Sequence, residues 1–141
     1  MSVGARTYAD VSSYPVADGL ELDDSGYVLA VDESGNLDLA SDTDEPFAVN
    51  YISSEDQDGY VQALDEGREW DTVRHSPAFE LRAQEGDYGL GDPVYISSAA
   101  AGTITDADDE GEYVGRIVGD SGSDDHQLVS FSFDYRPDGG A

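Results

Sequence analysis

The sequence contains no cysteine and no lysine. The first absence excludes a disulfide framework and any thiolate metal site. The second excludes a phosphate loop of the G-x-x-x-x-G-K-[ST] type, whose lysine reaches the phosphates. Basic residues number six, all of them arginine. That is too few for the basic stripe that a nucleic-acid backbone requires, so nucleic acid is not an expected partner. Only two histidines occur, His75 and His126, each without a second ligand at metal spacing. Apolar runs are short, and none approaches the roughly 20 residues that cross a bilayer. The opening residues, MSVGARTYADVSSYPV, lack the apolar segment of a signal peptide. The expectation is a soluble chain with no membrane contact and no cleaved leader.

What is abundant is carboxylate. The 32 acidic residues give a formal net charge of −26 over 141 residues, a length that fits one domain. Acidic chains poor in aromatics tend to be disordered. Here aromatics reach 10%, nine of them tyrosine, and acids alternate with β-branched residues, so a folded chain is expected. Carboxylates can crowd one surface when salt screens them: the Debye length is about 3 Å at molar salt. The composition therefore points to a high-salt setting.

Along the chain the pattern is strand-like. Tyr27-Val28-Leu29-Ala30-Val31 is a short apolar run closed by the turn cluster Asp32 to Asn36. Leu37 and Leu39 alternate with polar neighbours, and Phe47 to Ile52 follows an acidic loop. Residues 60–64 read as a strand or one helical turn. Arg68 to Val73 and Ala78 to Arg82 are further strand candidates, with Pro77 marking an edge or bend between them. In the last strand Val129, Phe131, Phe133 and Tyr135 fall on one face and form a core strand, with Leu128, Ser130, Ser132 and Asp134 on the other. No segment carries a sustained helical stripe. The fold class is therefore all-β: a small barrel or sandwich of short antiparallel strands with at most one short helix. The expected organisation is an extended N-terminal arm over 1–19, a single β domain over 20–136 and a flexible tail over 137–141.

Two passages share their spacing. Glycines stand at 26 and 91, shortly before Val28 and Val94, and Gly35 and Gly102 open the following turns. Leu37 and Ile104 each lie two residues past those turn glycines, Glu45 and Glu112 ten, Phe47 and Val114 twelve. Offsets match better than identities, which is what two diverged copies of one β unit would show.

Residues that could carry chemistry do not assemble into a site at this level. Gly119-Asp120-Ser121-Gly122 matches the tetrapeptide around a protease serine, but nucleophilic catalysis needs an oriented histidine, and the upstream histidine lies in Arg74-His75-Ser76-Pro77. Asp106 to Gly111 begins like a calcium loop yet has Ile117 where the twelfth-position carboxylate belongs; Ser54 to Gly59 ends well, with Asp65, but starts with serine. Among 32 acids any glycosidase-like pair is uninformative. Trp70 reads as a core anchor, with an interface role as the alternative. No enzyme activity, metal or cofactor is expected.

Gly91-Asp92-Pro93-Val94-Tyr95-Ile96, the turn Gly102-Thr103-Ile104, and Glu112-Tyr113-Val114-Gly115-Arg116-Ile117-Val118 together resemble small β-barrel decoration proteins of tailed viruses. These show a glycine-aspartate entry to a V-Y-V strand, a Gly-x-hydrophobic turn, and a G-x-hydrophobic strand after an acidic loop. The resemblance implies a structural virion protein. It would sit on the outer surface of an icosahedral capsid, cementing capsomers, with the major capsid protein as partner and a homotrimer as the favoured assembly. Assembly would take place in the host cytoplasm, and the salt-adapted composition makes the host a halophilic archaeon. Such a protein needs an anchor. The arm, with Tyr8, Tyr14, Pro15 and Val16, is the candidate, because an added strand on a partner's sheet edge binds through backbone hydrogen bonds. The other reading is a surface adhesin or fibre module that binds a host glycan or cell-envelope component.

Overall fold

Val28-Leu29-Ala30-Val31 is apolar at every position, and a strand of that kind must be covered on both faces. The computed structural model shows how. It describes residues 11–51, 69–107, 111–119 and 125–133, which form ten strands and, among the described residues, no helix. The first five are β1 (Val11–Pro15), β2 (Val28–Val31), β3 (Leu37–Leu39), β4 (Ala48–Asn50) and β5 (Glu69–Val73). The next five are β6 (His75–Arg82), β7 (Pro93–Ile96), β8 (Ile104–Thr105), β9 (Tyr113–Gly119) and β10 (His126–Ser132). They build two antiparallel five-stranded sheets, ordered β1-β5-β4-β2-β3 and β6-β10-β9-β7-β8. The expected all-β class of short antiparallel strands is what the chain adopts.

The two orders are the same order. Each strand of the first sheet has its counterpart five strands later, and the registers agree pair by pair. Tyr14↔Trp70 and Pro15↔Glu69 in the first sheet answer to Leu81↔Gln127 and Arg82↔His126 in the second. Val31↔Leu37 answers to Ile96↔Ile104, Leu29↔Ala48 to Val94↔Gly115, and Asn50↔Thr72 to Ile117↔Val129. Even the irregular contacts repeat. A parallel bridge joins Val16 to Leu37 and another joins Ala83 to Ile104. Each links the end of a unit's first strand to its third strand, the two edges of the sheet order, so each sheet curls until its edges meet and few backbone groups are left unpaired. Gly26 N–H donates to Asn50 O at 3.1 Å and Gly91 N–H to Ile117 O at 2.8 Å. The chain is thus two copies of one five-stranded unit, and the glycine spacing seen in the sequence is the trace of it.

The units differ in what covers them. Trp70, fully buried, packs with Val16, Leu20, Leu22, Leu29, Leu37 and Ala48 inside the first unit. The other face of that sheet, Val28, Ala30, Val49 and Val73, joins Leu81, Val94, Ile104, Val129 and Phe131 of the second unit in one larger cluster. The middle of the first sheet, β4 and the first three residues of β2, is therefore buried on both sides, while β1 is exposed along its outer face, which accounts for the apolar run of β2. The second is buried on one side only, and its β7 alternates half-buried and buried positions. Each fully buried Val, Leu or Ile in these clusters contributes about 1.5–3 kcal/mol.

Two local expectations change. Residues 11–16 do not stand free as an arm: β1 pairs with β5 along its whole length, and Val16 is 4% exposed in the core of its own unit. The break expected at Arg74 to Pro77 shrinks to the single residue Arg74, because β6 begins at His75. Pro77 is accommodated because β6 ends the sheet order and its register with β10 shifts between Val129 and Phe131, the edge and bulge positions where proline removes no ladder bond. Residues 60–64 and the tail 137–141 lie outside the described residues.

Candidate functional site

The second sheet's uncovered face is built by alternation. Val94, Ile96, Ile117, Val129 and Phe131 point into the core, so Pro93, Tyr95, Arg116, Val118, Leu128 and Ser130 point outward. Pro93, Arg116 and Ser130 stand in one cross-strand row. The rings of Tyr95 and Tyr113 meet edge-on at 6.2 Å. None of β7, β9 and β10 contains an aspartate or glutamate, in a chain with 32 of them. The part of this face built by β7, β9 and β10, with Tyr95, Tyr113 and Arg116 and with Glu80 only at its β6 margin opposite Leu128, has the low acid content of a protein interface, where acids are depleted.

A shallow groove of about 550 Å³ crosses this face, lined by Leu90, Tyr113, Arg116, Val118, Ser130 and Ser132. Leu90 is 80% exposed, Tyr113 39% and Val118 38%. The loop that carries Leu90 is held in place by its neighbours. Arg116 donates to Gly91 O at 3.0 Å, the Asp92 carboxylate accepts from Gly89 N–H at 2.9 Å, and Gly91 turns the chain at φ +86°, a left-handed conformation that favours glycine. The sequence reading missed Leu90. Its signal is an apolar residue between two glycines in an otherwise acidic loop.

Arg74 occupies the seam between the units. Its Nε donates to Phe47 O at 3.0 Å and its Nη2 to Phe133 O at 2.8 Å. The guanidinium lies 3.9 Å over the Phe47 ring, as a cation–π contact requires. A cleft of about 340 Å³ beside it is lined by Val31, Asp44, Glu45 and Phe133 among others. Arg82, the second seam arginine, bridges Asp24 at 3.3 Å and Asp125 at 3.1 Å.

The residues singled out from sequence are dispersed. Tyr14 is half-buried and meets the Phe47 ring edge-on at 5.0 Å, Pro15 pairs with Glu69, and Val16 is core, so these three serve the chain's own first unit. Tyr8 and Tyr135 lie outside the described residues. Val129, Phe131 and Phe133 are buried, with the last two rings stacked at 4.9 Å. His126 lies 2.8 Å from Asp125 and 3.5 Å from Glu80. Ser121 and the loop 54–59 fall outside the described residues. Asp106 is taken up by the Asp87 N–H at 2.9 Å. Among the described residues no cluster of three or more His, Asp or Glu has metal-binding geometry, and no helix is long and apolar enough to cross a membrane. Tyr88, whose hydroxyl donates to Gln84 O, has its pKa pushed up to about 12 by burial, with the Asp106 carboxylate adding to it.

No protein-family model matches the chain, and no curated protein matches its sequence.

Proposed function

We propose that the chain is a structural virion protein that binds the outer face of an icosahedral capsid of a tailed virus and stabilises contacts between capsomers, with the major capsid protein as its partner. The observation that supports this most is the placement of the residues that carry the likeness. The Gly91-Asp92 entry, the strand Val94 to Ile96, the turn at Gly102 and the strand from Tyr113 are consecutive elements of one curled sheet. A second support is the scarcity of acids on the outer face of that sheet, where β7, β9 and β10 carry none and Glu80 of β6 stands at the margin. A preformed surface loses little conformational entropy on docking, and such a face confines few carboxylates when it approaches a capsid.

The test is to add the purified protein, in molar salt, to heads assembled from the major capsid protein of a tailed virus of halophilic archaea. Saturable co-sedimentation and a raised temperature of head rupture are expected. Absence of co-sedimentation at every salt concentration, together with binding to a glycan array, would replace this reading with the adhesin one.

A further inference from the structure

Arginine is scarce in this chain, six against 32 acids, so a guanidinium near the surface is expected to find a carboxylate. Arg82 does, bridging Asp24 and Asp125. Arg74 is taken up by Phe47 O and Phe133 O in the seam. Arg116 does neither. It is exposed, its one hydrogen bond runs from Nη1 to Gly91 O at 3.0 Å, and no carboxylate stands within ion-pair distance of it among the described residues. Asp92, next along the loop from Gly91, accepts from Gly89 N–H at 2.9 Å, and Glu80, at the β6 margin, lies 3.5 Å from His126. The bond to Gly91 O holds one end of the guanidinium and leaves open its Nε–Nη2 edge, a fork that takes a carboxylate in two parallel hydrogen bonds. Around that fork the groove is apolar or neutral, with exposed Leu90 and Val118 beside Tyr113 and Ser130.

We infer that the groove takes an extended protein segment in which a glutamate or aspartate stands between apolar residues, its carboxylate held by the open fork of Arg116 and its neighbours seated on Leu90 and Val118. Charge selects this occupant. A wholly apolar cover would leave the guanidinium desolvated and unpaired, which is strongly unfavourable. A sugar chain fits less well, because its hydroxyls need acceptors as well as donors, and β7, β9 and β10 carry no aspartate, glutamate or asparagine. Tyr95 and Tyr113 meet at 70° and so form no single flat platform for a ring. That the occupant is a protein rests on the proposed function. A partner from the same high-salt setting offers carboxylates in quantity. Repulsion between two acidic surfaces is then screened over about 3 Å, whereas hydrogen bonds made in contact persist.

NMR titration of the full chain, labelled with nitrogen-15 and kept in molar potassium chloride, tests this. The probes are the capped tripeptide acetyl-Leu-Glu-Leu-amide and its glutamine counterpart. The Arg116 Nε–H resonance and the amides of Leu90 and Val118 should shift saturably with the glutamate peptide. The glutamine peptide should bind about tenfold more weakly, the weight of a charge-assisted hydrogen bond. This comparison is made on the wild-type chain and needs no variant to fold. Arg116→Gln should bind the two peptides alike, and Arg116→Lys, which keeps the charge without the fork, should recover only part of the preference. Equal affinities for the two peptides on the wild-type chain, or no shift with either, overturn the inference. So does a galacturonate oligosaccharide that moves the same resonances at lower concentration. Capsid heads separate this inference from the proposed function. Heads that bind Arg116→Gln as tightly as wild type leave the capsid reading standing and overturn this one. A preference for the glutamate peptide without binding to heads does the reverse.

Discussion

Arg74 donates its Nη2 hydrogen to the carbonyl oxygen of Phe133 at 2.8 Å, and Phe133 N–H returns a bond to Arg74 O at 2.8 Å. The one residue between the two units therefore ties the end of the second unit back to the point where it begins. Its Nε bond to Phe47 O holds the first unit in the same grip. Hydrogen bonds to a charged group contribute about 1.5–3 kcal/mol each, so Arg74→Ala should lower unfolding free energy by about 3 kcal/mol in denaturant titration. Arg74→Lys keeps the charge but not the planar fork or the stacking on Phe47, and should recover less than half of that loss. Full recovery by lysine would mean the seam needs only a positive charge.

The two glycines at the unit entries separate strain from packing. Gly91→Ala places a Cβ in open space at positive φ, which costs about 1–2 kcal/mol. Gly26→Ala has the same backbone, at φ +94°, with Glu80 O in the way. Overpacking should then add about 1–3 kcal/mol. Equal melting temperatures for the two variants would show that the seam yields to a methyl group and is less tightly built than it looks.

Much of this architecture is legible before any coordinates, and the rest is hidden for a physical reason. Period-two alternation and turn clusters locate β2, β3, β7, β8, β9 and β10, because a turn at Gly35 or Gly102 is a local demand on φ. The duplication shows in the spacing of Gly26 and Gly91. It does not show in β1 against β6 or β5 against β10, where Trp70 answers to Gln127 and Tyr14 to Leu81. Those pairs diverged because the surroundings of the two units diverged: the middle of one sheet is covered on both faces and the other sheet on one. The stretch 1–19 that holds β1 reads as an aperiodic arm, because its apolar contacts, Tyr14 on Phe47 and Val16 on Leu37, are made with distant residues. Leu90 is missed for the opposite reason: a lone apolar residue in a loop carries no period, and only the glycines on either side mark it.

Alkaline pH should unfold the protein through Tyr88. Its folded pKa, about 12, lies above the ordinary tyrosine value of about 10. A raised acid pKa means the neutral form is favoured by folding, so the contribution is complete below about pH 10 and is lost as pH rises through about 12. Tyr27 is shifted in the same direction, by burial first and then by the bond it donates to Asp23. Tyr88→Phe loses the hydrogen bond to Gln84 O and so starts less stable, but its melting temperature should fall less steeply between pH 10 and 12. Parallel pH profiles for wild type and variant would remove Tyr88 from the account.

Salt should stabilise the fold, although it weakens individual ion pairs. Dilution from molar to about 0.1 M salt lengthens the Debye length from about 3 to about 10 Å. Over that distance a net charge of −26 repels itself, whereas the bridges of Arg82 to Asp24 and Asp125 gain little, as exposed pairs contribute at most about 1 kcal/mol. The net repulsion wins on numbers. A melting temperature that rises steadily with salt is expected, and a flat one would remove the high-salt adaptation from the proposed function.

The first strand offers the sharpest test of how the chain's beginning is used. If residues up to 18 were only a tether, their removal would leave a folded body. The pairing of Val11 through Pro15 with β5 and the burial of Val16 against Leu37 and Trp70 say otherwise. Without β1 the first sheet loses the strand that closes it, and β5 becomes an open edge. Deleting residues 1–18 should therefore abolish cooperative melting of the whole molecule, since the first unit's outer face is also part of the second unit's core. Val16→Ala in the full chain is the graded version, removing a buried branch for a cost of about 2 kcal/mol with the fold retained. A truncated chain that melts with the wild-type transition would return this segment to the role of a tether and would leave the parallel bridge between Val16 and Leu37 without a structural purpose.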